Sequence, residues 1–281
     1  MHRFTTSAVT ERPLLGALLL VELVLAGALI AWPSSTAAVP GTAGTHVGPA
    51  DPSSSGPSNS RTLSDGRNVT LMALPGADAS LLTDRIASEL DGAAQAVTAL
   101  WGEDWPRQVL IVAAGDNQEF LGLDGGTPDN AATTTAQRIL FAPGAGSMSQ
   151  PALRLVLRHE LFHYASRPQT TADAPQVLTE GVADFVGRPP EPRPGPSRAT
   201  ELARLPTAAE FDGDAATRAL AYDRAWWFSR YLADRYGPAT LRSLYLAACG
   251  PGHADLAAAV HETLGAELNQ VLVAWRQWLS D

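Results

Sequence analysis

His159-Glu160-Leu161-Phe162-His163 places two imidazoles four residues apart, with a carboxylate next to the first. On an α-helix, residues i and i+4 share one face, so both rings can converge on a single metal ion. Glu160 projects from the adjacent edge, where it can take a proton from a metal-activated water without being a ligand. The chain contains only six histidines, so this spacing is hard to obtain by chance. Two histidines inside an apolar helix also need partners, because buried polar groups are normally satisfied.

A hydrolytic zinc ion needs a third protein ligand and a fourth position left open for water. The single cysteine, Cys249, lies far downstream and is a poor candidate. Glu180 is a better one. It follows His163 at a distance that lets the chain reverse and lay a second helix beside the first. Asp184 is one helical turn further along the same face, placed to accept a hydrogen bond from a ligand imidazole and set its tautomer. Gly181 leaves room beside the pair.

These side chains need elements to hold them. Ser149 is a good N-cap and Pro151 suits a first turn, so a helix is expected from there to Arg167-Pro168. Leu153, Leu155, Val156, Leu157, Leu161 and Phe162 wrap most of its cylinder, the pattern of a buried helix. A second helix fits residues 176–186. Upstream, the patterning predicts a strand at 68–74, a helix at 78–100 and a strand at 108–113. A polar, Gly-rich stretch comes next, and then a strand at 137–142. Downstream, residues 188–197 form a proline-rich loop, and helices fit 215–236, 238–248 and 254–280, with Gly265 as a point where the last could break.

HELFHYA followed by VLTEGVADFV resembles the gluzincin metallopeptidases, which carry H-E-x-x-H and a downstream E-x-x-x-D. More closely, the chain resembles the peptidase MA-like bacterial metallohydrolases. In that family an LxEGxAxY helix is followed by a helix like YDRAWWFSRYLADRYG (222–237) and a terminal segment like LGAELNQVLVAWRQWL (264–279). The likeness covers residues 137–281 well and 63–136 more loosely. Phe185 departs from the tyrosine common there, at a position that reads as packing.

The resemblance implies a zincin-like α+β fold, with a small N-terminal β-sheet and helix, an active-site helix carrying H-E-x-x-H, and a helical C-terminal subdomain. It implies one Zn2+ held by His159, His163 and Glu180, with Asp184 behind a ligand imidazole. Glu160 would be the general base acting on a peptide or protein substrate. Tyr222 is the candidate oxyanion donor, and the 137–142 strand is the edge along which an extended substrate could pair.

Composition narrows the alternatives. A net charge of −9 and a pI near 5.1 argue against nucleic acid as a partner, which calls for a basic face. One cysteine excludes an internal disulfide framework. No G-x-S-x-G or phosphate-cradling glycine loop is present. His253 and His261 read as surface residues, Trp226, Trp227, Trp275 and Trp278 as core, and Asp212 and Asp214 as turn and cap residues. Two readings compete with a peptidase. One is a zinc hydrolase of a non-peptide amide, and the other an extracytoplasmic binding module that keeps zinc without turnover.

Residues 14–32 form an apolar run broken by Glu22, whose cost of about 3 kcal/mol is outweighed by the many leucines and valines. Arg3 and Arg12 precede it, and no basic residue follows before Arg61. The expected organisation is a cytoplasmic tail (1–13), a membrane anchor or signal segment (14–32), a flexible Pro/Ser/Gly linker (33–62) and an extracytoplasmic domain (63–281). Small residues at Ser35, Ala37 and Ala38 would suit a signal peptidase, which would make the protein secreted rather than single-pass.

Overall fold

Every second side chain of NVTLMA is buried: Val69, Leu71 and Ala73 point to one side of β2 (Asn68–Ala73). In the computed structural model, which describes residues 58–76 and 78–281, this strand belongs to a five-stranded sheet. The others are β1 (Ser58–Thr62), β3 (Gln108–Ala113), β4 (Ala132–Thr134) and β5 (Ile139–Phe141), in the order β1-β2-β3-β5-β4. β2, β3 and β5 run parallel, and both outer strands pair antiparallel to their neighbours.

The β2–β3 crossover is α1 (Ala79–Trp101), which buries Leu82, Ile86, Leu90, Ala93 and Val97 on the main core. The opposite face of the sheet is covered by α2 (Asn117–Gly122), where Phe120 packs with Val112 and Leu140. This is a mixed α+β chain with a small N-terminal sheet and a mostly helical remainder.

Two differences from the sequence reading concern the sheet. Residues 58–62, assigned to the linker, form β1. All five side chains are exposed, so no apolar pattern announces the strand. It is held by its backbone ladder to β2 and by Arg61, whose guanidinium bonds Asp91 at 2.6 Å and the Ala87 carbonyl at 3.0 Å. The second correction is the edge. The 137–142 strand shortens to β5, which lies inside the sheet between β3 and β4. The edge is β4, in the polar stretch. Thr135 makes the turn that folds β4 back on β5: its N–H donates to the Arg138 carbonyl at 2.9 Å, and its hydroxyl accepts from the N–H groups of Gln137 and Arg138.

The helical part agrees more closely. α3 (Gln150–Ser166) starts with the Ser149 hydroxyl accepting from Ala152 N–H, and α4 (Gln176–Gly187) follows. A short helix absent from the sequence reading, α5 (Pro196–Leu202), begins inside the proline-rich segment with Pro196 in its first turn, where a missing N–H costs little. α6 (Ala208–Phe211) leads into α7 (Ala215–Tyr236), capped by Asp214, and α8 (Pro238–Cys249). The terminal helix divides at Gly265, which takes φ +66°, into α9 (Leu256–Leu264) and α10 (Leu268–Ser280).

Trp101, Phe162 and Tyr245 pack edge to face at 5.3–5.6 Å and join α1, α3 and α8. Losing the Phe162 ring would cost about 3–5 kcal/mol by the usual core-truncation scale. α4 and α7 approach unusually closely at Gly181, where a Cβ would strike the Ala225 carbonyl and come within 2.6 Å of Ser229 Oγ.

The expected tail, apolar segment and linker up to residue 57 lie outside the described residues. Among the described residues, no helix is long and apolar enough to cross a membrane.

Candidate metal centre

Three elements meet around His159. α3 supplies His159, Glu160 and His163, α4 supplies Glu180 and Asp184, and β4 supplies Thr134. Nε2 of His159 and Nε2 of His163 lie 3.0 Å apart. Glu180 Oε2 lies 3.3 Å from the first and 3.4 Å from the second. The four-residue spacing on α3 brings the two rings together. The close crossing of α4 over α7 at Gly181 sets the neighbouring Glu180 opposite them.

Asp184 decides which nitrogen of His159 faces this triangle. Its Oδ1 lies 2.9 Å from Nδ1 and, being a carboxylate, accepts the ring proton there. Nε2 then faces His163 and Glu180. Glu180 Oε2 is buried. Two ring nitrogens and a carboxylate oxygen thus converge within 3.4 Å of one another, and a cation at their centre would engage all three. Tetrahedral zinc with bonds of about 2.0–2.2 Å spaces its ligand atoms by roughly 3.3–3.6 Å. The observed triangle comes within a few tenths of an ångström of that, so the residues fit the ion.

The electrostatics agree. Burial alone would lower the pKa of His159, but Asp184 and Glu180 outweigh it and raise it to about 10. Burial would raise Glu180, yet the adjacent His163 and His159 hold it down to about 2. The pocket therefore favours a carboxylate facing positive charge.

Glu160 is 1% exposed, and its Oε2 accepts a 2.6 Å hydrogen bond from the Thr134 hydroxyl. Tyr222, on α7, lies 6.3 Å from the His159 ring, with Phe211 edge-on behind it at 5.3 Å. Burial and the charges of Glu180, Asp184 and Glu160 push its phenol well above the ordinary value, so it keeps its proton and can donate.

All six residues singled out from the sequence (His159, Glu160, His163, Glu180, Asp184 and Tyr222) are therefore neighbours. His253 is not: from the loop after α8 it bonds the Ala254 carbonyl and Asp173, which precedes α4. Cys249 is buried elsewhere, its thiol pushed up to about 12 by desolvation. His261 is exposed and pairs with Glu267.

Four participants escaped the sequence reading. Arg188 lies 2.6 Å from Asp184 Oδ2 and 2.8 Å from Asp223 Oδ1, joining the residue behind His159 to the residue after Tyr222. Arg198 holds the other oxygen of Asp223. Arg188 stands four residues after Asp184, so that pairing could have been read from helical spacing. Nothing local marks Asp223 or Thr134.

Fold and donor set together define a mixed α+β chain with a candidate His-His-Glu metal centre. No protein-family model and no curated protein matches the sequence. Among solved structures, the fold is similar to a variant of the M1 zinc metallopeptidase of Deinococcus radiodurans, at 18% identity and a TM-score of 0.47, over 79% of this chain and 51% of that one. It is also similar to Legionella pneumophila aminopeptidase A in complex with aspartic acid, at 15% identity and a TM-score of 0.49, over 78% of this chain and 27% of the other. The chain thus spans about half the length of the first and about a quarter of the second.

Proposed function

We propose that the chain is an exported zinc metallopeptidase of the gluzincin type, related to the peptidase MA-like hydrolases, acting on peptide bonds. The observation that carries this reading is the triangle of His159, His163 and Glu180 donor atoms with the Glu160 carboxylate beside it. Zinc, when bound, would supply a Lewis acid that activates water and polarises the scissile carbonyl.

The chain's own residues do the rest. His159 presents Nε2 because Asp184 holds the proton on Nδ1. Glu160 accepts the proton of the attacking water and delivers it to the leaving amine. Tyr222 keeps its phenolic proton and donates a hydrogen bond to the oxyanion that develops on the substrate. β4 is the sheet edge next to Glu160, and an extended substrate backbone would add along it. Export rests on the apolar run at 14–32 and its flanking arginines, and gives either a single-pass membrane protein or a secreted one.

The test is zinc content and cleavage of a peptide library by wild type, His163→Ala and Glu160→Gln. The expected result is about one zinc per chain in wild type and Glu160→Gln, loss of zinc in His163→Ala, and turnover in wild type alone. A folded wild-type chain that takes up no zinc overturns the reading. Zinc uptake with no effect of Glu160→Gln on any activity points instead to a binding module.

A further inference from the structure

We infer that Thr134 is the positioning residue for the general base, engaging Oε2 of Glu160 so that the other carboxylate oxygen, Oε1, takes the water proton. The inference rests on the peptidase reading and extends it to a residue on a different element from any metal ligand.

The Thr134 hydroxyl lies 2.6 Å from Glu160 Oε2 and 3.0 Å from the Glu160 carbonyl oxygen. One hydroxyl proton faces two oxygens of one residue, and the carboxylate is the nearer. Thr134 is 3% exposed and Glu160 1%, so water does not readily replace this bond. A glutamate side chain has three rotatable bonds, and its terminal torsion is broad. A carboxylate meant to meet one water needs that torsion held, and a donor on a neighbouring strand holds it without adding charge.

The location adds a second consequence. Thr134 is the last residue of β4, a three-residue edge strand paired with β5. The strand that would receive an extended substrate therefore also grips the base. The Thr134 hydroxyl thus links the end of β4 to Glu160.

The proton count is simple. Water loses a proton to Oε1 as its oxygen attacks the carbonyl carbon, and the same proton passes to the amine nitrogen as the C–N bond breaks. Thr134 keeps its own proton throughout and touches neither substrate atom.

The experiment compares wild type, Thr134→Val and Thr134→Ser in the full chain loaded with zinc. Valine keeps the shape and removes the donor, and serine restores it. Thr134→Val should retain zinc content, lower the thermal midpoint modestly because a buried carboxylate oxygen loses its donor, keep KM within about twofold, and lose kcat by about ten- to a hundredfold. Thr134→Ser should recover most of that loss. A role in packing alone would move the thermal midpoint and spare kcat.

A second readout needs no substrate. Acetohydroxamate binds such a centre by ligating the metal while handing a proton to the adjacent base, so its calorimetric affinity should fall about tenfold in Thr134→Val and return in Thr134→Ser. Equal kcat and equal hydroxamate affinity in wild type and Thr134→Val overturn the inference and leave the peptidase reading standing. Zinc-loaded wild type that neither cleaves peptides nor takes up acetohydroxamate overturns the peptidase reading, and the inference with it.

Discussion

Asp184 on α4 and His159 on α3 meet at 2.9 Å, carboxylate to Nδ1, with both residues 1% exposed. The contact holds the imidazole with Nδ1 toward the carboxylate and Nε2 toward His163 and Glu180. Asp184→Asn retains the shape and loses the charge, and an amide can present its nitrogen to the ring in place of its oxygen. Zinc affinity should fall about 10- to 100-fold, measured by chelator competition, with the fold intact by circular dichroism. Unchanged affinity would mean that the orientation of His159 comes from packing alone.

Behind Asp184, Arg188 is enclosed by Asp184 and Asp223, whose charges outweigh the burial that would otherwise lower its pKa. Arg188→Met would leave two buried carboxylates without their shared cation. Stability should drop by about 3–5 kcal/mol in urea unfolding, the usual cost of removing one partner of a buried ion pair. Adding Asp223→Asn should recover part of it. A loss no larger than that of an exposed pair such as Arg193–Asp234 would show that the network is solvated.

Gly181 tests the crossing that brings Glu180 to the histidines. A methyl group there meets the Ala225 carbonyl, which is backbone and cannot swing aside. Gly181→Ala should cost about 1–3 kcal/mol through overpacking and weaken zinc binding as well. Gly144→Ala is the control, since a Cβ there meets nothing within 4 Å. Equal melting temperatures for the two variants would contradict the close approach.

Acid should destabilise the domain through Glu89 in particular. The hydrogen-bonded Arg154 guanidinium, helped by Gln150, lowers its pKa from 4.5 to about 2. Because the folded value is the depressed one, its contribution is fully present above pH 4.5 and is lost as the pH falls from there toward 2. Glu210 acts in the same direction, held far below the ordinary carboxylate range by Arg204. Unfolding midpoints followed through this window should fall less steeply in Glu89→Gln than in wild type. Parallel slopes would assign the acid sensitivity elsewhere.

The features legible in the residues alone are those that depend on short range. The spacing of His159 and His163 puts them on one face of any helix. Glu180 and Asp184 share a face for the same reason, and N-cap and glycine signals located α3 and the break at Gly265. Tertiary structure decided the contacts between elements distant in the chain. β1 has no buried face and exists through its ladder to β2. β4 is three small residues, too short to show a period, and becomes the edge because the turn at Thr135 lays it against β5. Thr134 reaches Glu160, and Arg188 reaches Asp223, only once sheet and helices have packed. Helical periodicity is a local property carried by the residues themselves. A hydrogen bond between separate elements depends on how the chain closes, and composition and spacing do not encode that closure in any short window.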